Sequence, residues 1–230
     1  MKRIGLLGGM SWESSALYYS LINEGVRDRL GGLHSASCVL ISVDFAQIER
    51  LQAQGEWQRA GEILAGEARR IEAAGADLLV LCTNTMHKAA AAIEDAVSIP
   101  FLHLGDVTAR AVLAAGLRTV GLLGTRFTME QAFYVDRLAA HGLEVLLPGP
   151  EDQAVVNAII YDELVLGDIR DESRRRYQAV MKDLAARGAG GIILGCTEIE
   201  LLIGQDDSEL PVFATTRLHA EAAVTAALAK

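Results

Sequence analysis

Residues 3–9, RIGLLGG, are central to how this chain is expected to fold, because the same pattern returns at residues 119–125 as TVGLLGT. Two more pairs of segments follow in the same order: AGADLLVLCTNT (74–85) with AGGIILGCTEI (189–199), and SIPFLHL (98–104) with ELPVFAT (209–215). The spacing is nearly constant, from 116 residues between Gly5 and Gly121 to 111 between Pro100 and Pro211. This repetition predicts two similar lobes in tandem. Chance similarity between doubly wound sheets is the alternative.

The apolar runs along the chain are short and continuous, which is typical of strands that are covered on both faces of a parallel sheet. Eight such runs are predicted as strands: Arg3–Gly8, Cys38–Val43, Asp77–Cys82, Phe101–Leu104, Thr119–Gly124, Glu144–Leu147, Gly191–Gly195 and Val212–Ala214. Segments with helical periodicity lie between them, among them Ser14–Leu30, Glu56–Ala74, Met129–Ala140 and Glu172–Arg187. Strands that alternate with helices predict an α/β fold with mostly parallel sheets.

The repeat predicts two Rossmann-like lobes related by a pseudo-twofold axis. We expect residues 1–104 together with 209–230 to form the first lobe, and residues 105–208 to form the second. Ligands of open α/β sheets bind beyond the carboxyl ends of the strands. The active site is therefore expected in the cleft where the strand ends of the two lobes face one another.

Composition excludes several classes of protein. Hydrophobic residues make up 51% of the 230 residues, yet no apolar run reaches the roughly 18 residues that a membrane helix needs. The net charge of −9 argues against nucleic acid as a partner. The N-terminus lacks the pattern of a signal peptide. Three cysteines far apart in sequence predict neither disulfides nor a zinc site, so a reducing, cytoplasmic setting is expected.

Two of the predicted strands end in residues that can do acid/base chemistry. One strand runs into Cys82, Thr83 and Asn84, and another runs into Cys196 and Thr197. A racemase needs one acid/base group on each face of a carbon atom, so that one removes a proton and the other delivers one. A thiol can play this part near neutral pH without a metal if its surroundings lower its pKa. Hydroxyl, amide and backbone N–H groups at the same strand ends can stabilise the substrate carboxylate.

Four motifs, IGLLGGMSWES, CTNTMH, GTRFTM and GCTE, occur in this order along the chain. In order and spacing they resemble the cofactor-independent aspartate/glutamate racemase family, and the resemblance covers essentially the whole chain. It implies an isomerase that racemises aspartate, glutamate or a broader set of amino acids by two-base proton transfer, with no cofactor and no metal. The closest likeness is to the broad-specificity and L-aspartate/glutamate racemases of enteric-type bacteria.

The resemblance also implies which residues act. Members with two catalytic cysteines read Cys-Asn-Thr-x-His at the first strand end, so the first catalytic position falls on Thr83, and the second falls on Cys196. Neighbouring side chains of a strand point to opposite faces. If Thr83 faces the cleft, Cys82 is therefore expected to face the core. Because a threonine hydroxyl is a far weaker acid than a thiol, we expect a slow, asymmetric racemase in which Thr83 needs help from a neighbour.

The expected substrate-binding residues follow from the same motifs and strand ends: Met10, Gln47, Asn84, Thr85, Thr125, Thr128, Thr197 and Glu198. Several have a structural alternative, since Thr83 or Thr125 could simply cap the helix that follows. His87 is more readily explained as a structural partner than as a base. Relatives carry a lysine at Val165, and its loss would loosen specificity for a distal carboxylate. Arg126 is a possible substitute for that lysine.

Three alternatives to a racemase remain open. The same fold could carry an enzyme similar to arylmalonate decarboxylase, an enzyme similar to maleate isomerase, or a catalytically weak protein that binds dicarboxylates. Dinucleotide binding is not expected, because GLLGG lacks the spacing G-x-G-x-x-G. The resemblance also implies a homodimer. The helix that carries Leu17, Tyr18, Leu21 and Ile22 could form its interface, although core packing explains those residues equally well.

Overall fold

A computed structural model describes residues 1–229 of the chain, which form two compact units. The first unit comprises Met1–Leu104 and the residues from His219 onward, and the second comprises Gly105–Leu218. Each unit contains one four-stranded parallel sheet with helices around it, so the predicted α/β class with parallel sheets is confirmed.

All eight predicted strands are present. Their bounds are β1 Ile4–Gly8, β2 Cys38–Ser42, β3 Leu78–Leu81, β4 Phe101–Leu102, β5 Thr119–Gly124, β6 Glu144–Leu146, β7 Ile192–Gly195 and β8 Val212–Ala214. The α-helices are α1 Trp12–Leu30, α2 Phe45–Ala53, α3 Trp57–Ala73, α4 Ala90–Glu94, α5 Leu104–Ala114, α6 Arg126–Glu130, α7 Ala132–Ala140, α8 Pro150–Asp162, α9 Asp171–Ala186, α10 Ile199–Leu202 and α11 Thr215–Leu228. Three short 3₁₀ helices cover Thr85–Ala89, Leu164–Leu166 and Gln205–Asp207.

The two sheets have the same strand order, β2-β1-β3-β4 in the first unit and β6-β5-β7-β8 in the second. In the first sheet Leu7 of β1 is paired with Leu81 of β3, so these two strands end side by side. In the second sheet Gly124 of β5 is paired with Gly195 of β7. Each sheet therefore brings the loops after its two central strands to one edge, where ligands of α/β sheets bind.

The second sheet corrects the predicted domain boundary. Residues 209–218 were expected in the first lobe, but β8 pairs with β7 through Ile192 and Val212. Residues 209–218 therefore belong to the second unit, and the chain returns to the first unit within α11, at His219. The internal repeat contains the same information, since it aligns ELPVFAT with SIPFLHL, the segment that carries β4 of the first sheet.

The first sheet is covered on both faces, which explains its uninterrupted apolar strands. Alternate residues of β1 and β3, such as Leu6 and Val80, pack with Tyr18 of α1 and Val224 of α11. The residues between them, such as Leu7, Leu79 and Leu81, pack with residues of α2 and α3. In the second unit an apolar cluster joins β5 and β7 to α8 and α9; its members include Leu123, Leu194, Ile160, Tyr177 and Leu184.

The structure decides one open alternative, on α1, and corrects one predicted helix. Tyr18 and Ile22 of α1 are fully buried in the core of the first unit, so core packing is the explanation for these two residues. The predicted helix Met129–Ala140 is divided into α6 and α7, because Gln131 between them adopts an extended conformation with φ −96° and ψ 137°.

No helix within residues 1–229 is both long enough and apolar enough to cross a membrane.

Candidate active site

The turn after β1 is held by hydrogen bonds from the first residues of α1. Gly9 has a φ of +94°, a conformation that suits glycine, and its N–H donates to Ser15 Oγ at 2.8 Å. The Ser15 hydroxyl in turn donates to the carbonyl oxygen of Ser11 at 2.9 Å. Ser11 caps α1, since its hydroxyl accepts from the N–H of Ser14. Met10, a predicted substrate-binding residue, is held inside this turn and is only 5% exposed.

The strand β3 is followed directly by Cys82 and Thr83, of which Cys82 was expected to face the core and Thr83 the cleft. Cys82 lies in the apolar core with Leu6, Tyr18 and Val80, as predicted, and burial raises the pKa of its thiol. Thr83, the next residue, is 7% exposed. The alternative that Thr83 caps the following helix is not supported, because the N-cap position falls on Asn84.

His87 fixes the backbone at Thr83. Because a carbonyl can only accept, His87 Nδ1 donates to the carbonyl oxygen of Thr83 at 2.7 Å, and His87 Nε2 accepts from the N–H of Leu104 at 3.1 Å. Burial, together with the neighbouring His103 and His219, lowers the pKa of His87 well below its usual value. His87 is therefore neutral with both ring nitrogens engaged, so it acts as a structural partner and not as a base.

The other predicted residues of the first unit differ in their exposure. Asn84 is buried and Thr85 is half-buried at the start of the 3₁₀ helix that follows β3. Gln47 is exposed on the first turn of α2, beyond the end of β2, and so is Arg50 on the same helix. Asn84 and Thr85 thus lie beside Thr83, whereas Gln47 lies on α2, after a different strand.

The strand β7 ends in a cysteine that is hydrogen-bonded to a carboxylate. Cys196 is 7% exposed, and its thiol donates to Glu198 Oε2 at 3.0 Å. Burial raises the pKa of the Cys196 thiol well above its usual value, and the charge and hydrogen bond of Glu198 raise it further. The sequence-based mechanism required a lowered pKa, so the structure corrects it: Cys196 rests as a thiol beside a proton acceptor.

Three threonines lie near the ends of β5 and β7. Thr125 caps α6 by accepting from the N–H of Thr128, and the two hydroxyls are 3.2 Å apart. Thr128 is fully buried, so it supports Thr125 from behind. Thr197 is 8% exposed, and its hydroxyl accepts from the Thr216 hydroxyl at 3.4 Å. Capping by Thr125 is thus observed, and both Thr125 and Thr197 are buried just after their strands.

Val165 and Arg126 are the two positions considered for the distal carboxylate of a substrate. Val165 is 50% exposed in the 3₁₀ helix Leu164–Leu166. Arg126 lies on the first turn of α6, where its guanidinium forms an exposed ion pair with Glu130 at 3.4 Å. Arg126 therefore already has an acidic partner on its own helix.

Three residues that contact the predicted residues or the turns that hold them were not identified from the sequence: Ser15 in the first unit, and Glu200 and Thr216 in the second. Ser15 follows the quoted motif MSWES, but a serine inside a helix carries no special pattern. Glu200 lies two residues after Glu198, and Thr216 reaches Thr197 only through the fold. Contacts between residues distant in sequence are not visible in a single chain.

The chain matches a known protein family. Residues 7–223 match the family described as Asp/Glu/Hydantoin racemase. The chain is 27% identical over 165 residues to the broad specificity amino-acid racemase RacX of Bacillus subtilis, which covers 70% of each chain. The chain belongs to the Asp/Glu/hydantoin racemase family.

Solved structures are similar along the whole chain. A protein of Yersinia pestis assigned to the Asp/Glu racemases is 53% identical, with a TM-score of 0.96 and full coverage of both chains. An aspartate racemase homologue of Pyrococcus horikoshii is 32% identical, with a TM-score of 0.89 and 99% coverage of both chains. Family and relatives together identify an isomerase of the amino-acid racemase class.

Proposed function

We propose that this racemase interconverts the enantiomers of aspartate, glutamate or a similar amino acid by moving a proton at the α-carbon between Thr83 and Cys196, without a cofactor. The observation that carries the proposal is the Cys196 thiol at the end of β7, which donates to Glu198 at 3.0 Å. A thiol that is paired with a proton acceptor at a strand end is the arrangement that acid/base catalysis requires.

Glu198 gives Cys196 both of its roles. In one direction the Glu198 carboxylate takes the thiol proton, and the thiolate removes the α-proton of the substrate. In the other direction the cycle starts with Glu198 protonated. The Cys196 thiol, whose pKa is raised, delivers its proton to the carbanion, and Glu198 passes its own proton to the resulting thiolate, which restores the thiol and the carboxylate. We therefore assign Glu198, which the sequence placed among substrate-binding residues, to proton exchange with Cys196.

Thr83 acts on the opposite face of the α-carbon. His87 cannot activate its hydroxyl, since both ring nitrogens are bonded to backbone groups. A water molecule held by Asn84 or Thr85 would have to relay the proton. This makes the Thr83 face the slower one, so turnover depends on the direction of the reaction.

The remaining predicted residues hold the substrate. Backbone N–H groups and side chains at Asn84, Thr85, Thr125 and Thr197 would bind its carboxylates. Met10 would form an apolar wall, and Thr128 would act through Thr125. A valine at 165 in place of lysine removes one cation, so we expect tolerance of amino acids whose side chains lack a carboxylate.

The test is exchange of the α-proton in D₂O, followed by ¹H NMR for a panel of L- and D-amino acids that includes aspartate and glutamate. The wild type is expected to exchange the α-proton of both enantiomers of at least one amino acid. Cys196→Ala should reduce exchange by about 10²- to 10⁴-fold, the usual contribution of a positioned acid or base. Cys38→Ala, which removes a half-buried thiol outside the site, is the matched control and should retain activity.

The rival functions give different results in the same assay. A malonate decarboxylase or a maleate isomerase would act on malonates or maleate and would leave the α-proton of amino acids unexchanged. A protein that only binds dicarboxylates would show binding by calorimetry, no exchange, and unchanged affinity in Cys196→Ser. Either outcome would contradict the proposed racemase.

We also propose that the enzyme is a homodimer of the cytoplasm. Trp12 and Tyr19, seven residues apart on α1, are 68% and 50% exposed and can form an apolar contact face. All three cysteines are free, which suits a reducing compartment. Analytical ultracentrifugation should give a dimer that Trp12→Glu weakens; a monomeric wild type would contradict this proposal. Cell fractionation tests the location.

A further inference from the structure

A buried carboxyl group lies directly behind the Cys196 turn. The Glu200 side chain, on α10, is only 5% exposed. Its Oε1 accepts from the N–H of Thr216 at 3.2 Å. Its Oε2 is buried, lies 3.4 Å from Arg217 Nε, and has no hydrogen-bond partner among residues 1–229. A buried carboxylate oxygen without a hydrogen bond is costly, which favours the protonated form of the group.

Glu200 is connected to both the backbone and the side chain of Thr197. The N–H of Glu200 donates to the carbonyl oxygen of Thr197 at 3.2 Å. On the side-chain path, the fully buried Thr216 hydroxyl contacts the Thr197 hydroxyl at 3.4 Å and also hydrogen-bonds to the Glu200 carboxyl. Thr216 therefore stands between a group that can titrate and a predicted substrate-binding hydroxyl.

One hydroxyl proton cannot serve two acceptors at once. An ionised carboxylate only accepts, so it would draw the Thr216 proton to itself, and Thr216 would then accept the proton of Thr197. A protonated Glu200 can donate to Thr216, which is then able to donate to the Thr197 hydroxyl 3.4 Å away. In the first state Thr197 offers lone pairs to a ligand; in the second it can donate a hydrogen bond to a ligand.

We propose that Glu200 is a positioning residue that sets, through Thr216, whether Thr197 donates or accepts a hydrogen bond toward the substrate. The inference rests on the proposed function, in which Thr197 binds a carboxylate of an amino acid. When Glu200 is neutral, Thr197 donates a hydrogen bond and binds the substrate carboxylate more tightly. When Glu200 is ionised, Thr197 is an acceptor and binds the substrate carboxylate more weakly.

The charged groups that bear on Glu200 come from two elements. Burial raises the pKa of Glu200 above its usual value, and the charge of Glu198, in the preceding turn, acts in the same direction. The hydrogen bonds of Thr216 and the charge of Arg217, both on α11, lower it. Burial outweighs the opposing contacts, so Glu200 loses its proton at a higher pH than an exposed glutamate does.

The kinetic test compares the pH dependence of KM for α-proton exchange in the wild type and in variants of the relay. Wild-type KM should rise with pH as Glu200 ionises. Glu200→Gln cannot ionise, so its KM should lose this rise, with kcat changed less than KM. Glu221→Gln, an exposed acid-to-amide change on the same helix α11, is the matched control and should keep the wild-type profile.

The Thr216 hydroxyl can be tested independently of Glu200. Thr216→Val removes the hydroxyl at nearly constant volume and should flatten the KM profile, whereas Thr216→Ser keeps the hydroxyl and should restore it. A purely structural role would lower thermal stability in both variants without separating their pH profiles. Identical KM profiles in the wild type and Glu200→Gln, or in Thr216→Ser and Thr216→Val, would overturn the inference.

A readout without turnover separates this inference from the proposed function. In protein labelled with ¹³C at the glutamate carboxyls, the Glu200 resonance is the one that Glu200→Gln removes. Its titration should shift to higher pKa in Thr216→Val, because a donor to the carboxylate is lost, and return in Thr216→Ser. If the wild type exchanges no α-proton, the racemase proposal fails while this titration still reports on the relay. If exchange occurs and the titration does not move, the relay alone is wrong.

Discussion

A hydroxyl occupies position 83, where racemases with two cysteines carry a thiol by the motif match. A threonine hydroxyl gives up its proton far less readily than a thiol. The imidazole of the buried His87, which donates to the Thr83 carbonyl oxygen, is neutral and hydrogen-bonded at both nitrogens. If Thr83 carries the proton as proposed, we therefore expect the acidity of this one oxygen to limit the rate on its face of the substrate.

Changing Thr83 to cysteine should raise turnover by about tenfold or more, a part of the ~10²- to 10⁴-fold that a positioned acid or base contributes. The measurement is kcat for racemisation in both directions, by circular dichroism of the amino acid. The gain should be larger in the direction in which position 83 removes the proton.

Two controls accompany this substitution. Thr83→Val, which keeps the shape and removes the hydroxyl, should lower turnover. Cys82→Ala, a change in the apolar core beside the site, should leave the kinetics nearly unchanged. If Thr83→Cys gives no gain while the protein stays folded, position 83 does not carry the proton.

Glu198→Gln tests the hydrogen-bond partner of Cys196, and the direction of the expected change in the Cys196 pKa follows from the charge that is removed. The charge of Glu198 raises the pKa of the thiol, so removing that charge should lower the pKa of Cys196. Turnover should nevertheless fall, by about 10²-fold or more, because the amide cannot take the thiol proton. Ultraviolet absorbance of the thiolate against pH, in a Cys38→Ala background, measures the pKa shift.

A more acidic thiol combined with lower activity would identify Glu198 as the proton acceptor. The opposite result, an unchanged turnover in Glu198→Gln, would mean that Cys196 exchanges its proton directly with water. Glu130→Gln, an exposed acid on α6 outside the Cys196 turn, is the matched control.

At the scale of elements, the turn between β1 and α1 depends on one serine. Ser15→Ala would leave the buried N–H of Gly9 without its acceptor, which costs about 1–3 kcal/mol. We expect this loss in the free energy of unfolding in urea, together with a higher KM, because Met10 lies in the same turn. Ser20→Ala on the exposed side of α1 should cost much less, since its hydroxyl bonds only to the exposed Glu24. Equal losses in the two variants would contradict the role given to Ser15.

Elements were the level at which sequence reasoning was most accurate. Continuous apolar runs locate all eight strands, because strands covered on both faces have no polar side to interrupt the pattern. The break at Gln131 was missed, since glutamine is not a helix-breaking residue. The boundary at residue 209 was wrong because β8 joins its sheet through a non-local pairing with β7.

The candidate site was only partly predictable, for a related reason. Cys196 and Glu198 are two residues apart, so their contact could be anticipated from the motif GCTE. The structural role of His87 was also anticipated, but its contact with Leu104 was not, because the two residues lie 17 positions apart. The network of Glu200, Thr216 and Thr197 joins residues up to 19 positions apart and appears only once α11 is packed.

At the scale of the whole molecule, the first unit contains a cluster of buried histidines that assembles segments distant in sequence. The ring centroids of His87 and His103 are 4.7 Å apart, and those of His87 and His219 are 5.9 Å apart. His219 Nε2 donates to the carbonyl oxygen of Leu102 at 2.7 Å, so its Nδ1 accepts from the Tyr18 hydroxyl at 2.9 Å. The neutral imidazoles of His87 and His219 therefore join three parts of the chain: α1, α11 and the segment after β3.

This cluster should make the fold sensitive to mild acid. Burial lowers the pKa of His219 to about 4 and that of His87 well below its usual value, whereas an unfolded histidine titrates near 6.5. Below pH 6.5 these histidines become protonated in the unfolded chain but stay neutral in the folded chain. Stability is thus complete above 6.5 and is lost as the pH falls, by up to about 1.4 kcal/mol per pH unit for each histidine.

Urea unfolding between pH 7.5 and pH 5.0 measures this loss, and His219→Gln isolates one contribution to it. The variant should be less stable than the wild type at pH 7.5, because it loses the Tyr18 contact, but its stability should fall less steeply with acid. The raised pKa of Glu200 acts with the opposite sign in both proteins, so it cancels in the comparison. His34→Gln, at an exposed position, should keep the wild-type slope. If the slopes of the wild type and His219→Gln coincide, His219 is charged in the folded protein, and the neutral cluster that joins α1 to α11 does not exist in solution.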